Sequence, residues 1–124
     1  SHMGTPTCTP QLRELVTRLS KEYKLPIETP GAKHLPWPAD SKATAEQREA
    51  ALVKSLEQVG PGTWIVIEHP GADTEEMRAI GHKGYWEVAS HRDGVTKSFC
   101  SPKVKEVIQR RDIQLVSYRD MWPA

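Results

Sequence analysis

A chain of 124 residues and 13.9 kDa, 37% apolar and 27% charged with a mean hydropathy of -0.59, has room for one core and the balance of a soluble globular protein, which excludes a multidomain machine and a disordered chain. Seventeen Lys and Arg against sixteen Asp and Glu leave a formal charge of +1 with no basic block to follow phosphates, so nucleic acid is not an expected partner. The longest aliphatic stretch, Ile65 to Ile67, is too short to cross a bilayer, and no membrane partner is expected either.

Ser1-His2-Met3 reads as the remnant of a cleavage and cloning site, leaving residues 4–124 as one domain. Cys8 and Cys100 lie 92 residues apart without metal-type spacing and no signal peptide precedes them, so both are expected to be reduced and the chain cytoplasmic. Thr9 caps and Pro10 opens a predicted helix over residues 10–24, with Leu12, Leu15, Val16, Leu19 and Tyr23 on one face. Leu25-Pro26-Ile27-Glu28 follows as a short strand, and Pro30, Gly31, Pro36 and Pro38 make the stretch to Ser41 a loop. Thr44 and Gln47 form a capping-box signature for a helix over 45–59, its buried face Leu52, Val53, Leu56 and Val59.

Pro61-Gly62 then turns the chain into Thr63-Trp64-Ile65-Val66-Ile67-Glu68, a β-branched run with the look of a strand covered on both faces. Asp73 with Glu76 caps a short helix to Ile80, a longer helix covers residues 85–99 with Gly94 as a weak point, and Ser101-Pro102 starts another with Val104, Val107 and Ile108 inward. Ile113 to Tyr118 is the last predicted strand. Helices separating three short apolar strands predict an α/β architecture with a parallel sheet. Three strands leave two sheet edges open, which implies either a homo-oligomer or a missing amino-terminal half.

His69 stands directly after the apolar strand and before Pro70-Gly71, where α/β sheets present catalytic groups, and is a candidate general acid or base. The plainer alternative is a histidine that ties down its loop. Arg92 falls in a helical stripe with Val88, Val95 and Phe99, and a guanidinium placed there needs a partner: a catalytic carboxylate or a structural one. Asp93 faces elsewhere and is expected to be solvated. Trp37, between prolines with His34 close by, could stack on a sugar ring or fold back on the core. Trp64, Trp86 and Trp122 read as packing, and His82 and His91 have no metal-type spacing.

The order of these pieces resembles the carboxy-terminal half of the YdjC-like, or ChbG-like, carbohydrate deacetylases. The resemblance rests on Gln11-Leu12 to Leu25-Pro26-Ile27, Gly62-Thr63 leading to His69-Pro70-Gly71, Arg92, Ser101-Pro102 to Val104, and Ile113 through Tyr118-Arg119-Asp120. It implies a distorted (β/α) barrel, here a partial one with about three parallel strands and four to five helices. It also implies a divalent metal, Mg or Zn, held by one Asp and two His, and hydrolysis of an N-acetyl group from an amino sugar or oligosaccharide. His69 matches the late histidine that assists the leaving amine; Arg92 is expected to be catalytic with it, Pro70 and Gly71 to bind substrate, and Trp37 and His34, from their place in the proline-rich loop, to join them. Ser1-His2 looks like the end of the family's mid-chain Asp-Ser-His element, which makes His2 a metal ligand if it is native. The first-half acidic pair and first metal histidine are not found in this sequence, and Val95 stands where an acidic partner of Arg92 is expected. The implied protein is a truncated or split deacetylase, inactive as the isolated chain; the alternative is a non-catalytic carbohydrate-binding or interaction module.

Overall fold

The computed structural model describes residues 8–25, 31–37, 40 and 42–121. Its elements in chain order are α1 Pro10–Tyr23, β1 Lys33–His34, α2 Ala45–Gln58, β2 Trp64–Ile65, α3 Glu75–Arg78, α4 Val88–Cys100, α5 Pro102–Arg110 and α6 Tyr118–Met121. They fall into two compact units, one containing α1 and α6 and the other running Ala32–Gln114.

In the first unit, Thr9 accepts the Leu12 N–H at 3.2 Å, and Lys24 closes α1 in the left-handed conformation with φ 52°. The apolar row expected on this helix is present, yet no α1 residue is buried. Ser117 opens α6, its N–H and Oγ both donating to Asp120 Oδ2 at 2.6 and 2.7 Å.

In the second unit α2 is the central element, packed against α4 and α5. Its capping box is complete: Gln47 N–H donates to Thr44 Oγ1 and Thr44 N–H to Gln47 Oε1. Leu52 and Leu56 then meet Val104 and Val107 of α5 and Leu35 after β1, with Trp37, Trp64 and Ile113 half-buried around them. Ser101 caps α5 while donating to Glu49 of α2 at 2.5 Å, and Lys103 pairs with the same carboxylate at 2.7 Å. This joins the start of one helix to the flank of the other.

The expected partial barrel is not formed. The described residues are mostly helical, with a single two-stranded parallel sheet that pairs Lys33 with Trp64 and His34 with Ile65. One partner strand therefore comes from the stretch expected to be loop. The run over 63–68 supplies only Trp64–Ile65, because beyond Leu35 the partner chain meets Pro36, which has no N–H for the ladder, and turns to place Trp37 on α2. Val66 and Ile67 are consequently exposed. The run over 113–118 forms no strand either: Ile113 N–H closes α5 on Ile108 O at 2.9 Å, and Leu115 and Val116 are left exposed. An apolar run without a neighbouring strand has nothing to pair its backbone with. The strand expected at Leu25–Glu28 lies, from residue 26 on, outside the described residues, as do Ser1–Met3 and Trp122.

Two smaller corrections concern helix ends. Thr74, rather than Asp73, caps α3 by accepting Met77 N–H at 3.2 Å, and Asp73 instead pairs with Arg78 at 2.7 Å. The long helix begins at Val88 rather than at Tyr85, since His82 and Tyr85 exchange backbone hydrogen bonds of 3.1 and 2.9 Å across a turn in which Gly84 takes φ +91°. That conformation suits glycine and ends any helix there.

Candidate functional site

Because β1 and β2 run parallel, both leave the sheet at the same end, β1 toward Trp37 and β2 toward Glu68 and His69. The His69-Pro70-Gly71 element is then fastened to α4. Gly71 N–H donates to Thr96 Oγ1 at 2.9 Å and to Arg92 O at 3.3 Å, and the Thr96 hydroxyl lies 2.9 Å from Gly71 O and 3.0 Å from Arg92 O. A side chain at Gly71 would stand 3.3 Å from Arg92 Cβ and 3.4 Å from Met77 Cε. Glycine is thus what lets this backbone lie on Arg92. Two residues singled out separately in the sequence, His69 and Arg92, are brought to one place.

Three further residues complete the cluster. Tyr85 Oη is hydrogen-bonded to His91 Nδ1, with the two rings edge to face at 5.7 Å. Arg48 of α2 is 1% exposed and its Nη2 donates to Asp40 O. The His91 imidazole lies within the fields of Arg48, Glu68, Arg92 and His69. Burial, reinforced mainly by the Arg48 charge, holds His91 below its ordinary value near 6.5, while Glu68 opposes the shift. Burial likewise pushes the Tyr85 phenol up, so it is protonated beside the His91 ring. The Arg48 guanidinium is lowered by its own burial, against the pull of Glu68, and stays cationic.

Arg92 is half-buried, as its stripe suggested, but its contact is the Met77 thioether, 3.8 Å from Nη1, and its buried Nε has no hydrogen-bond partner. Asp93 pairs with Lys97 one turn on at 2.6 Å. Trp37 meets the cluster through Arg48, whose carbonyl accepts its indole N–H at 2.9 Å, and its ring packs on Phe99 at 5.5 Å. His34 and Pro70 are exposed. His2 lies outside the described residues. Among the described residues no three His, Cys, Asp or Glu side chains are grouped to hold a metal.

Arg48, Tyr85 and His91 were not expected as site residues. The signal for Arg48 was present: it precedes Leu52 and Leu56 by four and eight positions and so shares the buried face of α2. No comparable signal marked Tyr85 and His91, which face each other only because the turn over 82–85 folds back.

The His91 shift has a consequence for stability. The unfolded chain binds a proton near pH 6.5, before the folded chain does, so the folded state loses stability as pH falls from 7 toward 5. Melting temperatures at pH 7 and pH 5 should therefore differ less in His91→Gln than in the parent.

No protein-family model matches this chain, and no curated protein matches it.

Proposed function

We propose that this chain carries the carboxy-terminal contribution to an amino-sugar N-deacetylase site of the YdjC-like kind, and that by itself it does not hydrolyse substrate. The observation that carries the reading is the convergence of Glu68, His69, Tyr85, His91, Arg48 and Arg92 beside the His69-Pro70-Gly71 element. The barrel expected with the family forms no part of it.

In this reading His69 delivers a proton to the amide nitrogen as the carbon–nitrogen bond of the N-acetyl group breaks, so that the sugar leaves as a neutral amine and not as an anion. Thr96 and Arg92 hold the His69-Pro70-Gly71 backbone in register with α4 through Gly71. Glu68, Arg48 and Arg92 set the field around the His91 imidazole. The groups that activate water, and any metal that assists them, would come from residues outside the described cluster.

The test joins the amino-terminal half of a YdjC-like deacetylase ahead of residue 4 and measures acetate release from N-acetylated chitooligosaccharides with a divalent metal supplied. The joined protein should release acetate and the 124-residue chain alone should release none. Release by the 124 residues alone, or none from a folded joined protein, would contradict the proposal.

A further inference from the structure

Among the described tryptophans only Trp86 is left open to solvent, 68% exposed. Trp37, expected from the sequence to stack on a sugar, is half-buried with its ring on Phe99, and the indole N–H groups of Trp37 and Trp64 are taken by Arg48 O and Gly60 O at 2.9 and 3.0 Å. No described residue accepts the corresponding N–H of Trp86. A single exposed apolar side chain is ordinary on a protein surface. What sets this one apart is how it is held. Its Cε3 and Cζ3 lie so close to Gly81 that a Cβ there would stand 2.7 and 3.2 Å from them. On one side of Trp86 in the chain, His82 and Tyr85 exchange backbone hydrogen bonds of 3.1 and 2.9 Å, and Tyr85 Oη is bonded to His91; on the other, Val88 and Ala89 are buried. The indole is thus carried by a backbone fixed on both sides, next to the turn that brings Tyr85 into the cluster.

The surroundings select the ligand. A pyranose ring presents an apolar face of C–H groups that lies well on a flat π surface, and a rim of hydroxyls that needs both donors and acceptors. Both kinds are at hand: the open indole N–H and the exposed Lys83 donate, and the exposed Glu87, whose Oε2 takes the Trp86 backbone N–H at 3.3 Å, keeps further carboxylate lone pairs. One cation and one anion beside the ring in sequence give no track for phosphates, which argues against a nucleic acid. A proline-rich segment also stacks on indole, but it brings no hydroxyl donor for the carboxylate. We infer that Trp86, held in place by Gly81, is a stacking platform for a pyranose ring, with Lys83 and Glu87 meeting its hydroxyls. That the sugar is an N-acetylated one rests on the proposed function; the platform does not.

The test titrates tri-N-acetylchitotriose into the 124-residue chain, with sorbitol, an open-chain polyol without a ring face, as the comparison. The Trp86 indole N–H is followed by NMR, assigned with Trp86→Phe, and binding is read in parallel from the sugar's own signals so that variants can be compared. The trisaccharide should give a saturable indole shift that sorbitol does not. Trp86→Ala, at an exposed position, should weaken binding at least about tenfold. Gly81→Ala keeps the indole but forces it off its seat, and should weaken binding at least about threefold. Lys54→Ala, at an exposed position on α2, should bind as the parent does. A response equal to that of sorbitol, unchanged binding in Trp86→Ala, or tighter binding of poly-L-proline or oligouridylate than of the trisaccharide would overturn the inference; unchanged binding in Gly81→Ala would overturn the part given to Gly81, and should that variant not fold, Trp86→Ala decides. Sugar binding through Trp86 together with no hydrolysis by the joined protein would remove the deacetylase reading and leave the platform standing. Hydrolysis by the joined protein with binding unchanged in Trp86→Ala would do the reverse.

Discussion

Gly94→Val is expected to lower stability by about 2–3 kcal/mol and the melting temperature by about 10–20 °C, although it replaces glycine inside a helix. Glycine at a helix interior is ordinarily a weakness of about 1 kcal/mol. Here it is where α4 crosses α2. A Cβ at Gly94 would stand 2.8 Å from Arg48 Cδ, 3.2 Å from Arg48 Nε and 3.6 Å from Ala45 Cα. Arg48 has nowhere to retreat, since it is 1% exposed and tied through Nη2 to Asp40 O and through its carbonyl to Trp37. The clash should be relieved in an Arg48→Ala background, with a coupling of at least about 1 kcal/mol between the two changes. Strictly additive effects in that cycle would mean that α4 does not lie on Arg48.

His69→Ala, introduced into the joined deacetylase, should lower turnover by about 10² to 10⁴ while leaving substrate affinity nearly unchanged. The proton it supplies is needed only as the carbon–nitrogen bond breaks, so its loss falls on kcat. His69 is exposed, and the hydrogen bonds that fasten its element to α4 are made by Gly71, so the variant should melt within a few degrees of the parent. Measuring turnover, melting and metal content on one sample separates a proton donor from a structural histidine and from a ligand. His82→Ala, whose exposed ring meets only Lys83 O and the edge of Tyr85 in the described contacts, serves as the comparison. Turnover within about threefold of the parent in His69→Ala would remove the general-acid assignment.

The helices were legible where local chemistry determines them. Thr9 with Pro10, Thr44 with Gln47 and Ser101 with Pro102 each declare a helix start by satisfying its first N–H groups, and all three helices begin there. Strands are not local in this way. The run over 63–68 has the composition of a buried strand, yet Pro36 ends the partner after two paired residues, and Leu115 and Val116 have no partner strand among the described residues. Composition carried the expectation of a three-stranded parallel sheet and the resemblance that of a barrel; the pairing forms neither.

The site shows the same division. His69 was marked by its place after an apolar run, and Arg92 by a charge in an apolar stripe. Their meeting depends on Gly71 lying on α4. Arg48 was overlooked because a helix-favouring charged residue near a helix start reads as solvated, and only the alignment with Leu52 and Leu56 argues otherwise. Tyr85 and His91, six positions apart, come together through the turn at Gly84, which no periodicity announces. Gly94 was read as a flaw in its helix when it is the point of closest approach to Arg48.

Everything proposed for this site requires that Arg48, Glu68, His69, Tyr85, His91 and Arg92 form one electrostatically coupled group. The most direct measurement is a histidine-resolved NMR pH titration of the 124-residue chain. His91 should titrate below 6.5, and its midpoint should rise toward the ordinary value in Arg92→Gln, because a charge that disfavours its protonation has been removed. A His91 that titrates at its ordinary value in the parent, and does so unchanged in Arg92→Gln, would contradict the existence of the cluster.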